Sequence, residues 1–485
     1  MQIANQGSIT KWYVMAAVAM GVFLATIDGS IVNIALPTLA AVLNVDFSVV
    51  EWVVLGYLLT VTTLMLGVGR LADIIGKKKI YAAGFVVFTV GSALCGMSIS
   101  IVMLIACRVL QGIGAAMMMA LGTAIVTEAF PSSDRGKALG IMGTVVSVGV
   151  IAGPTIGGFI LAGLSWQWLF FVNLPVGIVG VIMAIKFVPA NRLIGGESFD
   201  YLGAVTLFIC LLTLLLGLSF SQEMGFANLT VAGLLGTAVV FLGLFIVLEL
   251  RIMQPMIDLR LFKNGLFTIN LVTGFLSFVG TAGTILLMPF YLQNILKFQP
   301  QEIGLLLGVV PLMVGLVAPL SGLISDRIGP RPLTALGLFL LLIGYIAVST
   351  LDANTNALGY ALRFIPVGLG LGLFQSPNNS AVMGAAPKNR LGVVSGLLSI
   401  TRTLGQTVGI AVLGAVWSVR VGVYAGTLSL DATKAPLAAQ ISGLHDTILV
   451  VVGFISLGFG LSLWALYQVT NKNNAAHPKK GVAAG

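Results

Sequence analysis

Near the N-terminus the chain reads Ala25-Thr26-Ile27-Asp28-Gly29-Ser30-Ile31-Val32-Asn33-Ile34-Ala35-Leu36-Pro37, inside its first long apolar run, residues 12–37. This run is long enough to cross a bilayer as a helix, and it places Asp28 near the middle of that span. A charge at this depth is costly unless it is paired, hydrated or protonated, so such a residue is treated as functional by default. The chain has 16 acidic residues, and the predicted spans place only Asp28 well inside the membrane.

The composition is that of an integral membrane protein. Hydrophobic residues make up 58% of the 485 residues and charged residues 8%, whereas soluble domains carry about 25% charged residues. The continuous apolar runs predict an all-α protein, and the length accommodates about 12 to 14 helical spans. The net charge of +9 comes from basic residues near the ends of these runs, so no nucleic-acid partner is predicted. The three cysteines lie within apolar runs and predict no disulfide framework.

The apolar runs predict fourteen transmembrane helices. They lie at residues 12–37, 49–71, 79–99, 101–125, 137–163, 168–189, 201–220, 230–250, 266–295, 302–324, 333–350, 356–385, 392–418 and 445–468. Of the 25 basic residues, 19 fall in the termini and in loops on the side of the N-terminus, and three fall in loops on the other side. Because basic loops stay in the cytoplasm, both termini are predicted to be cytoplasmic, in a multi-pass protein of the plasma (bacterial inner) membrane.

The chain repeats itself at a nearly constant offset. The segment Gly69-Arg70-Leu71-Ala72-Asp73-Ile74-Ile75-Gly76 returns as Gly322-Leu323-Ile324-Ser325-Asp326-Arg327-Ile328-Gly329, Arg108 returns as Arg363, Gly149-x3-Gly153 returns as Gly405-x3-Gly409, and Pro37 returns as Pro289. Such a repeat predicts two homologous six-helix halves. We therefore expect an N-terminal six-helix bundle at 1–200, two inserted helices at 201–250, a C-terminal six-helix bundle at 251–470 and a cytoplasmic tail at 471–485. The repeat position of Asp28 is near Thr281, so the second half lacks the carboxylate.

Four motifs together point to a known family. They are Asp28-x-Ser-x-Val-Asn33-x-Ala-Leu-Pro37, the two Gly-x3-Asp-x2-Gly loops, Arg108-x2-Gln111-Gly112, and Gly149-x3-Gly153-Pro154-x2-Gly157-Gly158. In this order they resemble the major facilitator superfamily, and more narrowly its fourteen-span drug:proton antiporter branch. The resemblance covers nearly the whole chain. It implies the major facilitator fold, with two six-helix bundles plus two inserted helices.

Arg108 is the second candidate for a coupling residue. An arginine inside a span needs an anion, a group of carbonyl oxygens or water. The resemblance implies that Arg108 takes part in proton coupling with Asp28. The alternative is an arginine that only ties two helices together through carbonyl oxygens. Gln111 lies one turn further along the same helix face.

The two repeated loops resemble the conformational latch of the family. The resemblance assigns that role to Gly69, Asp73 and Gly76 in the first copy and to Asp326 and Arg327 in the second. In the first copy Ile74 stands where the family usually has an arginine, which predicts a weaker latch there. The alternative is that the neighbouring Lys77, Lys78 and Lys79 only fix the topology.

The predicted fifth helix carries small residues at four-residue spacing. Gly149, Gly153 and Gly157 form a ridge that allows close helix contact, and Pro154 removes a backbone donor and can bend the helix. In the antiporter branch this Gly-Pro motif, with Gly158, is associated with export. Packing alone explains the glycines equally well, and the combination of Pro154 with Gly157 and Gly158 favours the family interpretation.

Polar side chains inside other spans are candidates for a substrate path. They are Asn33, Gln111, Asn173, Arg363, Gln375, Asn378, Arg402 and Gln406. The side chains around Gln375 and Asn378, and those around Arg402 and Gln406, could instead hydrogen-bond only to neighbouring helices. Pro366 replaces Gln111 in the repeat around Arg363, which puts an equivalent role for Arg363 in doubt. The segment 419–444 is expected to be the longest external loop, as a passive connector or as a cover for the outer mouth.

These features predict a secondary transporter that uses the proton motive force to export lipophilic or amphipathic drugs and dyes by proton antiport and alternating access. Protons would be the coupling ion, and no enzymatic activity, metal or other cofactor is expected because the sequence offers no catalytic constellation. The expected partners are small lipophilic molecules and the lipid bilayer, with the protein as a monomer. A transporter of the same fold for one solute, such as a siderophore, metabolite or lipid, is one alternative. A non-transporting membrane scaffold or receptor is another.

Helical periodicity predicts how the first span divides its residues. On a regular helix Thr26, Ser30 and Asn33 share one stripe, and Asp28 points roughly opposite. Asp28 is therefore expected to face a neighbouring helix of its own bundle and to gate protons, while other residues contact substrate.

Overall fold

The computed structural model describes residues 2–131, 134–189, 200–252, 255, 259–385, 391–427 and 431–476, and these residues form helices and turns without a β-strand. The N-terminal half comprises α1 (Gln2–Leu43), α2 (Trp52–Ile75), α3 (Lys77–Gly96), α4 (Ile101–Ala129), α5 (Arg135–Gly163) and α6 (Asn173–Phe187). Single helical turns, Phe47–Val50 and Trp168–Phe171, precede α2 and α6.

Two helices follow before the second half begins. They are α7 (Tyr201–Met224) and α8 (Leu229–Arg251). After a 3-10 turn at Leu259–Lys263, the second half comprises α9 (Gly265–Phe290), a short helix at Pro300–Leu307, α10 (Val309–Ile328), α11 (Pro330–Val348), α12 (Ala357–Gly384), α13 (Leu391–Ala425) and α14 (Leu437–Ala476). A π-helical turn, Tyr291–Ile295, extends α9, and a 3-10 turn, Ala432–Lys434, lies between α13 and α14.

Helix number and type agree with the sequence prediction. In the described residues 13 helices are long and apolar enough to cross a membrane. The remaining predicted span is α5, whose apolar part, Val148–Gly163, is shorter. The loop predicted at 419–444 is shorter than expected, because α13 continues to Ala425 and α14 already begins at Leu437.

The two halves are built in the same way. In the first half α1 packs along α5, and in the second half the repeat-related α9 packs along α13. Small residues make both approaches close. A Cβ atom on Gly153 would lie 2.8 Å from the Cβ of Ser30 on α1, and a Cβ atom on Gly405 would lie 3.0 Å from the backbone oxygen of Phe275 on α9. The glycine ridges predicted from the sequence therefore fix the distance between paired helices.

The inserted helices α7 and α8 lie beside this pair of halves. α7 packs against α2 and α13, and the Trp52 indole N–H donates a 3.0 Å hydrogen bond to the Ser219 hydroxyl. α8 packs mainly on α7 and exposes much of its apolar surface, including Val239 and Val240. This exposed surface fits the expectation that the inserted pair faces lipid.

We call the end of the helix bundle that carries both termini the terminal face, and the opposite end the distal face. The halves meet at the distal face, where the Phe47 ring lies 5.1 Å from the Phe290 ring and 4.9 Å from the Trp417 ring, centroid to centroid. The Phe47 backbone N–H donates to Asp431, and Lys434 pairs with Asp46 at 2.8 Å. The hydrogen bond with Asp46 raises the pKa of Lys434 above its ordinary value, so Lys434 is protonated at neutral pH.

Nearer the middle of the bundle, the hydroxyls of Thr62 and Thr407 lie 3.4 Å apart. In the described part of the chain, the hydrogen bonds and ion pairs that join the two halves all lie between this level and the distal face. These contacts close the space between the two halves at the distal face.

Closure at the distal face depends on close contact at Gly158. A Cβ atom there would lie 2.5 Å from the Pro300 carbonyl oxygen and 3.1 Å from the Cα of Gly304. We predict that Gly158→Val holds the halves apart, because backbone atoms on the other side cannot yield. A cysteine introduced at Thr281 in the variant should then react several-fold faster with an impermeant maleimide added at the distal face. The native cysteines are buried and should not interfere.

Gly163→Val is the matched control, because no heavy atom lies within 4 Å of a Cβ atom at that position of the same helix. Its labelling rate should equal that of the protein with Gly158 and Gly163 intact. Equal rates in both variants would show that contact at Gly158 does not control closure.

Candidate functional site

Asp28 is fully buried and holds a charged and polar cluster in the N-terminal half. The Arg108 guanidinium on α4 donates through Nη1 to Asp28 Oδ2 at 2.5 Å. The side-chain amides of Gln111 and Asn173 donate to Asp28 Oδ1 at 2.8 and 3.0 Å. One carboxylate thus joins α1 to α4 and α6 through three donors, and it points away from the second half.

The Arg108 guanidinium makes further contacts. Its Nε–H donates to the Val53 carbonyl at 3.0 Å, and Nη1 also donates to Gln111 Oε1 at 2.7 Å. The guanidinium lies over the Tyr57 ring, 4.2 Å from its centroid, as expected for a cation–π contact. Nη2 is buried without a hydrogen-bond partner in the described residues. Arg108 therefore both ties helices together through a carbonyl and pairs with Asp28.

A second layer of contacts positions the amides. Gly91 allows α3 to approach α4, since a Cβ atom there would lie 2.8 Å from the backbone nitrogen of Gln111. The Ser92 hydroxyl on α3 donates to the Phe170 carbonyl at 2.8 Å and accepts from Asn173 at 3.1 Å. The break between Trp168–Phe171 and α6 places Asn173 at the first position of α6. These contacts hold the donors around Asp28 in one orientation.

Such a cluster can respond strongly to a single proton. Removing two charges from water costs several kcal/mol for each ion, and their attraction repays this only when hydrogen bonds satisfy both groups. Here both carboxylate oxygens are bonded. Protonation of Asp28 would remove its charge and leave Arg108 buried without a counter-ion. The cluster is thus suited to coupling a protonation step to a rearrangement of helices.

A cavity of about 240 Å³ lies between the two halves, next to this cluster. Its polar lining residues are Thr26, Ser30, Asn33, Tyr57, Thr281, Gln375, Arg402, Thr403 and Gln406, and most of the others are apolar. Asp28 does not line the cavity. Tyr57 stands between them, because its ring lines the cavity and also contacts the guanidinium of Arg108. The Tyr57 hydroxyl donates to the Ala25 carbonyl at 3.2 Å.

Comparison with known proteins agrees with this architecture. The family model of the Major Facilitator Superfamily matches residues 18–410. The chain belongs to the major facilitator superfamily.

Two relatives of this transporter family show how far the similarity extends. The riboflavin transporter RibZ of Clostridioides difficile (strain 630) is 37% identical over 83% of this chain and 87% of its own length. The multidrug transporter protein MdtP of Bacillus subtilis (strain 168) is 32% identical over 92% of this chain and 84% of its own length. The chain is thus a multi-pass membrane transporter and not an enzyme.

A solved structure shows the same fold. A bacterial homolog of the human lysosomal transporter Spinster, in an inward-facing and unoccupied conformation, superposes with a TM-score of 0.63 at 17% identity. The alignment covers 94% of this chain and 97% of that one. This likeness supports the major facilitator fold alone.

The structure divides the predicted substrate-path residues into three groups. Asn33, Gln375, Arg402 and Gln406 line the cavity. Gln111 and Asn173 bind Asp28 instead. Asn378 and Arg363 lie outside the cavity lining. Asn378 donates to the Asn270 carbonyl at 3.1 Å. The half-buried Arg363 donates to the Thr350 hydroxyl and the Gly359 carbonyl near the distal face.

In the latch loops the structure describes the turns and only part of the side chains. Gly76 has φ 107° and Gly329 has φ 84°, a region that L side chains rarely adopt, so both turns require glycine. Arg327 is exposed at the end of α10, and a Cβ atom on Gly69 would meet open space. The side chains of Asp73 and Asp326 lie outside the described residues. The latch therefore stays a prediction.

One buried carboxylate was missed by the sequence analysis. Glu51 is fully buried between Phe47–Val50 and α2, at the edge of the predicted span 49–71, so a second carboxylate shares the full burial of Asp28. Its Oε2 lies 2.7 Å from the place that a Cβ atom on Gly414 would take, at the contact between α2 and α13. The available signal was its position inside the predicted span 49–71.

The repeat position of the Asp28 cluster is neutral, as predicted. Thr281 donates to the Ser277 carbonyl at 2.7 Å, and the Tyr345 hydroxyl lies 3.4 Å from the Thr281 hydroxyl. Tyr345 occupies the position that Ser92 has in the first half. The ionisable pair is therefore confined to the N-terminal half.

The burial of both charges predicts a large coupling energy. We expect Arg108→Met to lower the free energy of unfolding in detergent micelles by about 3–5 kcal/mol, because it leaves the Asp28 carboxylate buried without its cation. The double variant Asp28→Asn with Arg108→Met should recover part of that loss, since an amide carries no charge. Denaturant titration followed by tryptophan fluorescence measures the wild type, the two single variants and the double variant.

Arg420→Met is the matched control, because Arg420 pairs with Asp446 while 43% of its side chain stays exposed. Its loss of stability should be a small fraction of that of Arg108→Met. Strict additivity of the Asp28 and Arg108 substitutions would contradict the pairing.

Proposed function

We propose that this transporter exports lipophilic or amphipathic molecules in exchange for protons, with Asp28 as the proton-binding residue and Arg108 as its switchable partner. The observation that carries the proposal is the fully buried Asp28–Arg108 pair beside a largely apolar cavity. Intramembrane ionisable residues of this kind commonly form proton relays. The similarity to a multidrug transporter at 32% identity supports the substrate class.

In this proposal the terminal face is cytoplasmic. The excess of basic residues on that side supports the orientation. The protein is then open to the cytoplasm, with Asp28 ionised and paired with Arg108 after release of its proton. Substrate enters the cavity in this state. The halves then open at the distal face, where substrate leaves and Asp28 takes the next proton.

Helix α1 provides the connection between proton and substrate. Asp28 lies on one face of this helix, while Thr26, Ser30 and Asn33 line the cavity on the other. A shift of α1 that follows protonation of Asp28 therefore changes the cavity wall directly. The Gly-Pro motif of α5 packs on the same stretch of α1, since Gly149 faces Thr26 and Gly153 faces Ser30. We propose that this close packing moves α5 with α1 during export.

A transporter for one solute is the second candidate function. It is favoured by the similarity to RibZ, a riboflavin transporter, at 37% identity. Both candidates use the same cavity and coupling site, and they differ in the range of molecules accepted. The surroundings proposed for either are the lipid bilayer of the plasma membrane, with the protein as a monomer and without a cofactor other than the coupled proton.

The coupling role of Asp28 can be tested in everted membrane vesicles. A panel of dyes, cationic ethidium, neutral N-phenylnaphthylamine and an anionic anilinonaphthalene sulfonate, is offered to vesicles that contain the wild type or Asp28→Asn. We expect proton-driven uptake of one or more dyes by the wild type, with proton efflux on dye addition. Asp28→Asn should lose both, because an amide cannot carry the proton. Uptake of a single dye would favour the one-solute candidate.

Asp352→Asn is the control, an identical substitution at an exposed residue next to α11 that bonds within its own turn. It should transport like the wild type. Dye-induced proton movement that persists in Asp28→Asn would exclude Asp28 as the proton carrier. The absence of dye transport by the wild type, with full biological activity of Asp28→Asn, would favour a scaffold or receptor.

The position of Tyr57 generates a second prediction. Its ring covers Arg108 on the side of the cavity, so Tyr57→Ala should open the ion pair to cavity water. We expect proteoliposomes with Tyr57→Ala to dissipate a pH gradient several-fold faster than wild-type proteoliposomes when no substrate is present. The reason is that a hydrated carboxylate can exchange protons without a change in the helices.

Tyr57→Phe is the matched variant, because it keeps the ring and loses only the hydrogen bond to the Ala25 carbonyl. Its proton leak should stay close to that of the wild type. If proteoliposomes with Tyr57→Ala dissipated the pH gradient as slowly as wild-type proteoliposomes, Tyr57 would not separate the ion pair from the cavity.

A further inference from the structure

The charge of the cavity wall is carried by a single side chain. Arg402 on α13 is the one charged residue among the described lining residues, and no carboxylate lines the cavity. An arginine side chain stays protonated in proteins. The buried Asp28 does not balance this charge, because it lies behind Tyr57 and its oxygens already accept from Arg108, Gln111 and Asn173. The wall of the cavity is therefore positive.

Arg402 has no partner in the described part of the protein. It takes part in no hydrogen bond or ion pair there, and the same holds for the amides of Gln375 on α12 and Gln406 on α13. Arg402 and Gln406 are one helical turn apart, so they lie on the same face of α13. Three side chains with unused N–H donors thus border the cavity from the C-terminal half.

The hydroxyl groups that line the cavity differ from these three side chains, and the Asn33 amide donates to the Gly29 carbonyl at 3.2 Å. The Thr26 hydroxyl donates to the Val22 carbonyl at 2.8 Å, and the Ser30 hydroxyl donates to the Ile27 carbonyl at 3.0 Å. Thr281 and Thr403 likewise donate to carbonyls of their own helices. Because these hydroxyl groups donate to backbone carbonyls, they have no further proton to donate to a ligand. Hydrogen-bond donors available to a ligand are therefore concentrated around Arg402.

We propose that Arg402, assisted by Gln375 and Gln406, is an anion-recognition site, and that the exported molecules are amphipathic anions. The inference rests on the proposed export function and names its substrate class. A guanidinium at membrane depth that lacks a counter-ion is costly, and a bound oxyanion supplies two strong, charge-assisted hydrogen bonds to its planar fork. A carboxylate or sulfonate would bind there, while its aromatic or aliphatic body would contact apolar lining residues such as Phe278 and Leu371.

The same arrangement disfavours cations. A cationic amphiphile in the cavity would meet the like charge of Arg402 and no carboxylate to compensate it. A neutral amphiphile would keep the apolar contacts and lose the charge-assisted hydrogen bonds. The expected order of apparent affinity is therefore anion, then neutral molecule, then cation.

Two dyes with one aromatic skeleton test this order. Anilinonaphthalene sulfonate is N-phenylnaphthylamine with an added sulfonate, which stays ionised at all working pH values. We expect proteoliposomes of the full chain under a proton gradient to show a KM for the sulfonate about tenfold below that for the neutral dye, in line with hydrogen bonds to a charged group. Arg402→Gln should remove this difference by raising the KM of the sulfonate alone, and Arg402→Lys should restore part of it.

Arg363→Gln serves as the control, because Arg363 is an arginine of α12 that lies outside the cavity lining. It should keep the wild-type ratio of the two KM values. Arg402→Glu should reverse the selectivity and admit ethidium, a result that a merely structural arginine would not give.

The possible results distinguish failure of the anion site from failure of the proposed export function. Proton-driven transport of the neutral dye with no preference for the sulfonate, or an equal rise of both KM values in Arg402→Gln, would overturn the anion site and leave export intact. No proton-driven transport of any of the three dyes by the wild type would overturn the export proposal itself. A preference for ethidium in the wild type would contradict the positive cavity wall directly.

Discussion

The ion pair between Asp28 and Arg108 constrains the whole N-terminal half. Two opposite charges lie in a fully buried site, where each is tolerable only while the other and its hydrogen bonds are in place. Gln111 and Asn173 donate hydrogen bonds to the Asp28 carboxylate. The Arg108 guanidinium donates to the Val53 carbonyl and lies over the Tyr57 ring. The packing of helices α1, α2, α4 and α6 therefore depends on the charge of Asp28, which the binding of one proton would remove.

The two homologous halves have taken different roles. The first half keeps the buried ion pair, and the corresponding site of the second half contains Thr281 and Tyr345. The repeat mate of Arg108 is Arg363, which lies half-buried near the distal face and donates hydrogen bonds to its own helix and the preceding turn. The second half instead places Arg402 in the cavity. In the account proposed here, protons are bound in one half, substrate charge is recognised by the other, and α1 lies between them.

Those features of the fold that depend on local pattern could be predicted from the sequence. Continuous apolar runs, glycine ridges and the internal repeat indicated the helices, the two halves and the inserted pair. Helical spacing also predicted that Asp28 points away from the Thr26, Ser30 and Asn33 stripe. The partners of Asp28 were harder to predict. Arg108 was expected from its motif, whereas Gln111 and Asn173 were assigned to the substrate path, because sequence spacing does not show which helices meet in space.

Other features depend on tertiary packing and left little trace in the sequence. Glu51 lies at the edge of a predicted span, where hydropathy cannot distinguish a solvated residue from one buried between α2 and α13. Arg363 and Arg402 are both arginines inside apolar runs, yet Arg363 lies near the distal face and bonds its own helix, whereas Arg402 lines the cavity. Their different roles follow from how far along its helix each arginine lies and from which face of that helix it occupies.

The central claim is that proton and substrate compete through Asp28. It is tested most directly by counting the protons that purified protein releases in weakly buffered detergent solution when N-phenylnaphthylamine binds. We expect proton release that rises with dye occupancy in the wild type and is absent in Asp28→Asn, although the variant still binds the dye. The same proton release in both proteins would contradict the account.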